Sequence, residues 1–104
     1  MPTNIRKLQK QAYATALKRG QYDKPEGMKA LLLRVVNELS ECADEIQKGK
    51  RMDEVYFEEQ KPCGIPTELA DAFIVIMSIC EHHQIDLEKA VKLKMAYNET
   101  RKEG

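Results

Sequence analysis

The segment that most constrains the fold is the run from Ala72 to Cys80, which is apolar at almost every position. A helix that is apolar on nearly every side must be buried inside a protein or an assembly. Two acidic residues, Glu68 and Asp71, stand one turn apart where this helix begins. Because a carboxylate costs several kcal/mol to bury unless a cation meets it, we expect a cation to bind at this end of the helix.

The remainder of the chain is also predicted to be helical, because apolar residues recur at helical spacings and the few Gly and Pro residues stand between the periodic segments. The predicted helices run from Thr3 or Asn4 to Gly20, from Pro25 or Glu26 to Gly49, from Pro66 or Thr67 to His83, and from Asp86 towards Arg101. Residues 50–66 are expected to be irregular, with one or two helical turns around residues 53–59. The expected fold is a single all-α domain over residues 1–104, a four-helix bundle.

Three other helices of a 104-residue chain can hardly cover a helix that is apolar around most of its circumference. We therefore predict that the bundle is completed by dimerisation at least, and that the chain is an obligate oligomer.

Composition excludes several classes of protein. Lys+Arg and Asp+Glu are both 17, so the chain lacks the basic excess of a nucleic-acid-binding protein. The N-terminus has no apolar leader, and the longest apolar run is far shorter than the roughly 20 residues that cross a bilayer, which predicts a cytoplasmic protein without a membrane partner. The three cysteines show no C-x-x-C spacing, which disfavours a disulfide framework or a zinc knuckle; they are Cys42, Cys63 and Cys80.

A second pair of acids, Glu38 and Glu41, repeats the spacing of Glu68 and Asp71 on the second predicted helix. Residues three apart on a helix have Cβ atoms roughly 5–6 Å apart, so each pair can share one ion. Four converging carboxylates suit Mg²⁺, with Mn²⁺ as a substitute, whereas zinc is disfavoured because no histidine stands at ligand spacing. Taken without the second pair, Glu38 and Glu41 have an alternative interpretation, in which they belong to a solvent-exposed face of the helix and bind no ion.

The last predicted helix carries Lys94, Asn98 and Arg101 at i, i+4 and i+7, beside its apolar face. Two cations and an amide suit phosphate oxygens, although a solvated helix end is the alternative. His82 and His83 are expected to close the third helix, whose C-terminus favours a positive side chain.

Together, Glu38-x-x-Glu41, Glu68-x-x-Asp71 and the segment from Lys94 to Arg101 resemble the MazG-like all-α nucleoside triphosphate pyrophosphohydrolases. The family pattern is E-E-x-x-E followed by E-x-x-D, and its leading Glu is replaced here by Asn37, which points away from the other acids.

The resemblance implies hydrolysis of a nucleoside triphosphate, with dNTPs foremost, between the α- and β-phosphates. It also implies Mg²⁺ bound by the four acids, phosphates held by Lys94 and Asn98, and dimers or tetramers with the substrate between neighbouring chains. Glu41 is a candidate for orienting the attacking water.

Alternative functions remain at this stage. One is a non-catalytic oligomeric helical module that keeps the acids as a structural ion site or binds nucleotides without hydrolysing them. Another is phosphoribosyl-ATP pyrophosphohydrolase activity, because enzymes of that kind share the motifs that carry the resemblance. A di-iron bundle is disfavoured, because no histidine follows a glutamate by three residues. The candidates for contacts to the base are Gln11, Tyr13, Tyr22, Tyr56 and Phe57.

Overall fold

A computed structural model describes residues 3–23 and 27–101 of the chain. Its elements in chain order are α1 (Ile5–Lys18), α2 (Gly27–Gln47), β1 (Tyr56–Glu58), β2 (Lys61–Cys63), α3 (Ile65–His82) and α4 (Leu87–Glu99). The four predicted helices are confirmed to within a few residues at each described end. The predicted start of the second helix at Pro25 or Glu26 lies outside the described residues.

The helix ends follow the local capping signals. Asn4 precedes α1, and its side chain accepts a hydrogen bond from the backbone N of Lys7 at 2.9 Å. Asp86 does the same before α4, where it accepts from the backbone N of Lys89 at 3.1 Å. Gly49 follows α2 with a φ of 85°, a left-handed conformation that glycine adopts without strain.

The expectation of helical turns within residues 53–59 is wrong, because this region forms a β-hairpin. The strands β1 and β2 are antiparallel, with Tyr56 opposite Cys63 and Glu58 opposite Lys61. Each strand has three residues, too few to show the apolar–polar alternation by which a strand is recognised in a sequence. The described residues are therefore mostly helical, consistent with the expected all-α bundle, and carry one short β-hairpin between α2 and α3.

Gly64 joins the hairpin to α3 and fixes their relative position. Its φ is 114°, and a Cβ at this position would collide with the backbone carbonyl oxygen of Glu54. Only glycine permits this close approach, which brings the hairpin beside the first turn of α3.

Helix α3 is the centre of the fold, as its apolar run predicted. It packs against α1 on one side and α2 on the other, whereas α4 makes a smaller contact with α1 and has no buried residue. The buried side chains of α3 are Ile65, Ala72, Val75, Met77, Ser78, Ile79 and Cys80.

Candidate functional site

Three of the four predicted acidic ligands come together where α2 faces the first turn of α3. Glu38 and Glu41 lie one turn apart on α2, and Glu68 lies opposite them on α3. One carboxylate oxygen of each lies within 4.8 Å of the other two. Such a cluster can share a single cation.

The start of α3 places Glu68 in the cluster. Ile65, at 1% exposure, anchors the first turn in the core, and Thr67 Oγ1 donates a hydrogen bond to the carbonyl of Gly64 at 2.9 Å. Pro66 favours the first turn because its ring presets a helical φ. The backbone of this turn is therefore well fixed, and Glu68 points towards α2.

The electrostatics of the cluster are unfavourable without a cation. Burial, followed by the charge of Glu41, raises the pKa of Glu68 from 4.5 to about 7. Glu68 Oε2 is buried and has no hydrogen-bond partner among the described residues. A buried acceptor without a partner, beside two more carboxylates, fits a divalent cation that prefers oxygen ligands.

A buried thiol, Cys42, lies near the cluster on α2. Its pKa is raised by burial first and then by the charge of Glu68, so the thiol stays protonated and is a poor metal ligand. All three cysteines are buried and free.

Asp71 is not a member of the cluster, and the expectation that it is buried is wrong. Its side chain is exposed in the single chain. It lines a groove of about 340 Å³ between α1, α2 and α3, together with Arg19 and Arg34. Asp71 lies on the same stripe of α3 as Val75 and Ser78, but at the end of the stripe where the groove opens to solvent.

The three predicted phosphate-binding residues are also apart from the cluster within this chain. Lys94, Asn98 and Arg101 are exposed on or beside α4, the helix that packs against α1. Their described contacts are local: Lys94 Nζ lies 5.2 Å from the ring centre of Tyr97, and Arg101 Nη1 is 3.5 Å from Asn98 Oδ1.

The hairpin supplies a wall of the site that the sequence analysis missed. Tyr56 Oη donates a 2.7 Å hydrogen bond to Glu45 Oε1 on α2, and this bond raises the pKa of Tyr56 to about 12. The resulting groove of about 240 Å³ runs from Glu41 and Glu68 past Lys48 to the hairpin. Through this bond Tyr56, which is also a candidate for base contacts, holds the hairpin against α2.

An aromatic cluster joins α1 to the end of α3. The rings of Tyr22 and His82 stack with centres 4.3 Å apart, and Tyr13 Oη lies 2.8 Å from His82 Nδ1. Tyr22 and His82 line a cavity of about 280 Å³ with Met28 and Leu31.

Both histidines stand at the end of α3, as predicted. Of the other candidates for base contacts, Gln11 lines the Asp71 groove, whereas Phe57 is 65% exposed.

Arg34 also borders the cluster, and the sequence analysis did not identify it. Its Nε lies 4.0 Å from Glu38 Oε1, one helical turn further along α2. The sequence does contain a cation four residues before a predicted metal ligand. Only the fold shows which other residues surround Arg34.

Comparisons with known proteins give one finding. The family description "MazG nucleotide pyrophosphohydrolase domain" matches residues 26–104, which is most of the chain and includes the predicted metal-binding and phosphate-binding residues. No curated protein and no solved structure matches the chain. Over the described residues, no helix has both the length and the apolar character needed to cross a membrane.

Proposed function

The chain belongs to the MazG nucleotide pyrophosphohydrolase family, and we propose that it hydrolyses a nucleoside triphosphate to the nucleoside monophosphate and pyrophosphate. The proposed substrates are dNTPs, and the proposed role is housekeeping of the nucleotide pool. One observation carries the proposal: Glu38, Glu41 and Glu68 place carboxylate oxygens within 4.8 Å of one another where the family pattern has its acids.

Mg²⁺, with Mn²⁺ as a substitute, is the proposed cofactor. Glu38, Glu41 and Glu68 would hold it, and a bound ion would neutralise phosphate charge and lower the pKa of a water molecule. The buried, unpartnered Glu68 Oε2 supports this assignment. Asp71 is proposed as a fourth ligand, because the i, i+3 spacing puts its Cβ roughly 5–6 Å from that of Glu68.

The proposed reaction forms a bond between a water oxygen and the α-phosphorus and breaks the bond from that phosphorus to the oxygen that bridges to the β-phosphate. Pyrophosphate leaves with this bridging oxygen. Glu41 is the exposed member of the cluster, so it can reach a water molecule and accept its proton. Phosphoryl transfer depends mainly on positioning and charge neutralisation, which clustered carboxylates serve by binding a cation.

We also propose that the chain self-associates as a homodimer or homotetramer. The single chain leaves large apolar side chains exposed on all four described helices, and these include Leu33 and Val36 on α2, Leu69 and Ile74 on α3, and Leu93 and Met95 on α4. Burying them would stabilise an assembly and can bring α4 of a second copy, with its Lys94, Asn98 and Arg101, to the acid cluster. Light scattering tests this proposal, and a folded monomer at micromolar concentration would contradict it.

The activity is tested by incubating the protein with individual dNTPs and NTPs in the presence of Mg²⁺. Phosphorus NMR should detect pyrophosphate and a monophosphate, whereas orthophosphate and a diphosphate would place the cleavage elsewhere. Glu68→Gln should abolish the reaction. Glu88→Gln is the matched control, because Glu88 occupies the first turn of α4 as Glu68 occupies that of α3.

The same experiment separates the alternative of a non-catalytic helical module. Such a module would release no pyrophosphate from any nucleotide, even if it bound Mg²⁺. Asn37, the one departure from the family pattern, is exposed and lies outside the group of three carboxylates. We therefore expect Asn37→Glu to change activity little.

A further inference from the structure

Arg34 lies beside the acid cluster and lines two cavities of the described residues. It lines the Tyr22–His82 cavity of about 280 Å³ and the Asp71 groove of about 340 Å³. Its guanidinium also lies 4.0 Å from the carboxylate of Glu38. Arg34 therefore borders both the proposed cation site and the space that is open to a ligand.

The ion pair with Glu38 leaves the N–H donors of the Arg34 guanidinium unused. A guanidinium has five N–H donors, and no hydrogen bond from the Arg34 side chain to a residue in 3–23 or 27–101 is within normal geometry. The Arg34 side chain is 38% exposed, and pairs of this kind on one helix contribute little to stability. Its donors remain available to a ligand.

The position of Arg34 also meets a need of the proposed reaction. A triphosphate carries more negative charge than one divalent cation neutralises, so a cationic side chain near the acids would stabilise the bound nucleotide. Lys94 and Arg101 are on the side of the chain where α4 packs against α1. Arg34 stands on α2 itself, one turn before Glu38.

We propose that Arg34 binds phosphate oxygens of the nucleotide while the acid cluster holds the cation, and that it orients the triphosphate between the cluster and the two cavities. Guanidinium groups suit this role because their planar donors can bond two phosphate oxygens at once. The inference rests on the proposed function, since it needs a nucleotide substrate.

A purely electrostatic role for Arg34 makes a different prediction. If Arg34 only neutralises Glu38, removing it should tighten Mg²⁺ binding, by about two- to fivefold, and leave nucleotide binding unchanged or stronger. If Arg34 binds phosphate, removing it should still tighten Mg²⁺ binding but weaken nucleotide binding. The two affinities then change in opposite directions.

The test measures both affinities by calorimetry in the full-length protein and in Arg34→Ala, Arg34→Gln and Arg34→Lys. The first titrant is Mg²⁺ alone, and the second is a hydrolysis-resistant α,β-imido dNTP in the presence of Ca²⁺. Lys92→Ala is the control, because Lys92 forms a similar i, i+4 ion pair with Glu88 at 3.6 Å but lines none of the described cavities.

We expect Arg34→Ala and Arg34→Gln to weaken binding of the analogue about 10- to 100-fold, with Arg34→Lys in between and Lys92→Ala near wild type. Arg34→Gln keeps most of the side-chain length, so it provides the measurement if Arg34→Ala does not fold. Analogue affinity within twofold of wild type in every folded Arg34 variant would overturn the inference, as would loss of Mg²⁺ binding in these variants.

The failure of this inference is distinguishable from failure of the proposed function. A wild-type protein that hydrolyses a dNTP, with variants that bind the analogue normally, overturns the role of Arg34 alone. A wild-type protein that neither binds nor hydrolyses any triphosphate overturns both.

Discussion

Simple residue spacings predicted a site on the face between α2 and α3 and another on the face of α4. In the fold, the predicted residues converge on the first face but not on the second. On the first face, Glu38, Glu41 and Glu68 converge, and the environment raises the pKa of Glu68 to about 7. On the second, Lys94 and Asn98 are exposed and have only local contacts. One chain therefore brings three carboxylates together by itself but does not bring the predicted phosphate-binding residues to them.

The difference arises from how each helix is held. Helix α3 is buried between α1 and α2, so packing on both sides fixes the direction of its side chains. Helix α4 has no buried residue, and its apolar Leu93 is 74% exposed. Packing within the chain does not fix the exposed face of α4. Under the proposed function, this face binds phosphate only when it contacts a second copy of the chain or a ligand.

The largest expected effect is loss of activity when the cluster is neutralised. Glu68→Gln and Glu41→Gln should each lower kcat/KM on the order of 100-fold or more, because each removes a proposed metal ligand. Both variants should melt at a higher temperature than wild type at pH 8 without metal, because fewer negative charges repel one another. Glu88→Gln should match wild type in both assays, and full activity in Glu68→Gln would contradict the assignment.

The next effect tests whether α4 reaches the site of a second copy. Lys94→Ala should lower kcat/KM about 10- to 150-fold without changing Mg²⁺ affinity, because a charge-assisted hydrogen bond to phosphate is lost. Asn98→Ala should act in the same direction, and Arg101→Ala should matter less because Arg101 follows the end of α4. Steady-state kinetics with Lys92→Ala as the control check this. A kinetically silent Lys94→Ala would leave α4 as a solvated face.

Asp71 is intermediate between the two faces, since it lies on the central helix but outside the cluster. We expect Asp71→Asn to weaken Mg²⁺ binding about 10-fold, less than Glu68→Gln does, because Asp71→Asn leaves intact the three carboxylates that already converge. Calorimetric titration of both variants checks the order. A larger loss in Asp71→Asn than in Glu68→Gln would mean that Asp71 moves into the cluster when the ion binds.

The smallest expected effect is the pH dependence of stability without metal. Because the pKa of Glu68 is raised from 4.5 to about 7, the folded state binds a proton more tightly than the unfolded state does. The stabilising contribution of this proton is fully present below pH 4.5 and is lost as the pH rises through about 7. Thermal melts from pH 4.5 to 8 should show this trend in wild type. The trend should be weaker in Glu68→Gln, and an equal slope in both proteins would refute the raised pKa.

The features that the sequence predicted correctly depend on residues that are close together along the chain. Helix ends followed caps such as Asn4 and Asp86, and the apolar run of α3 predicted the buried centre. The i, i+3 spacing of Glu38 and Glu41 placed them on one face, and the same spacing of Glu68 and Asp71 on another helix predicted that the two pairs converge.

The rest depended on contacts between distant segments. The hairpin exists because Tyr56 reaches Glu45 and because Gly64 allows a close approach to Glu54. Asp71 was expected to be buried because its neighbours along the chain are apolar, but the groove between α1 and α2 opens at its position. The cavity beside Arg34 needs side chains from both ends of the chain, which no local pattern shows.

The most direct test of this account is calorimetric titration of Mg²⁺ into the metal-free wild-type protein, Glu68→Gln and Lys94→Ala at pH 8. The account predicts that wild type and Lys94→Ala bind the ion with equal affinity, because the site lies between α2 and α3. It also predicts that Glu68→Gln loses most of the binding. Undiminished Mg²⁺ affinity in Glu68→Gln, or loss of binding in Lys94→Ala, would contradict it.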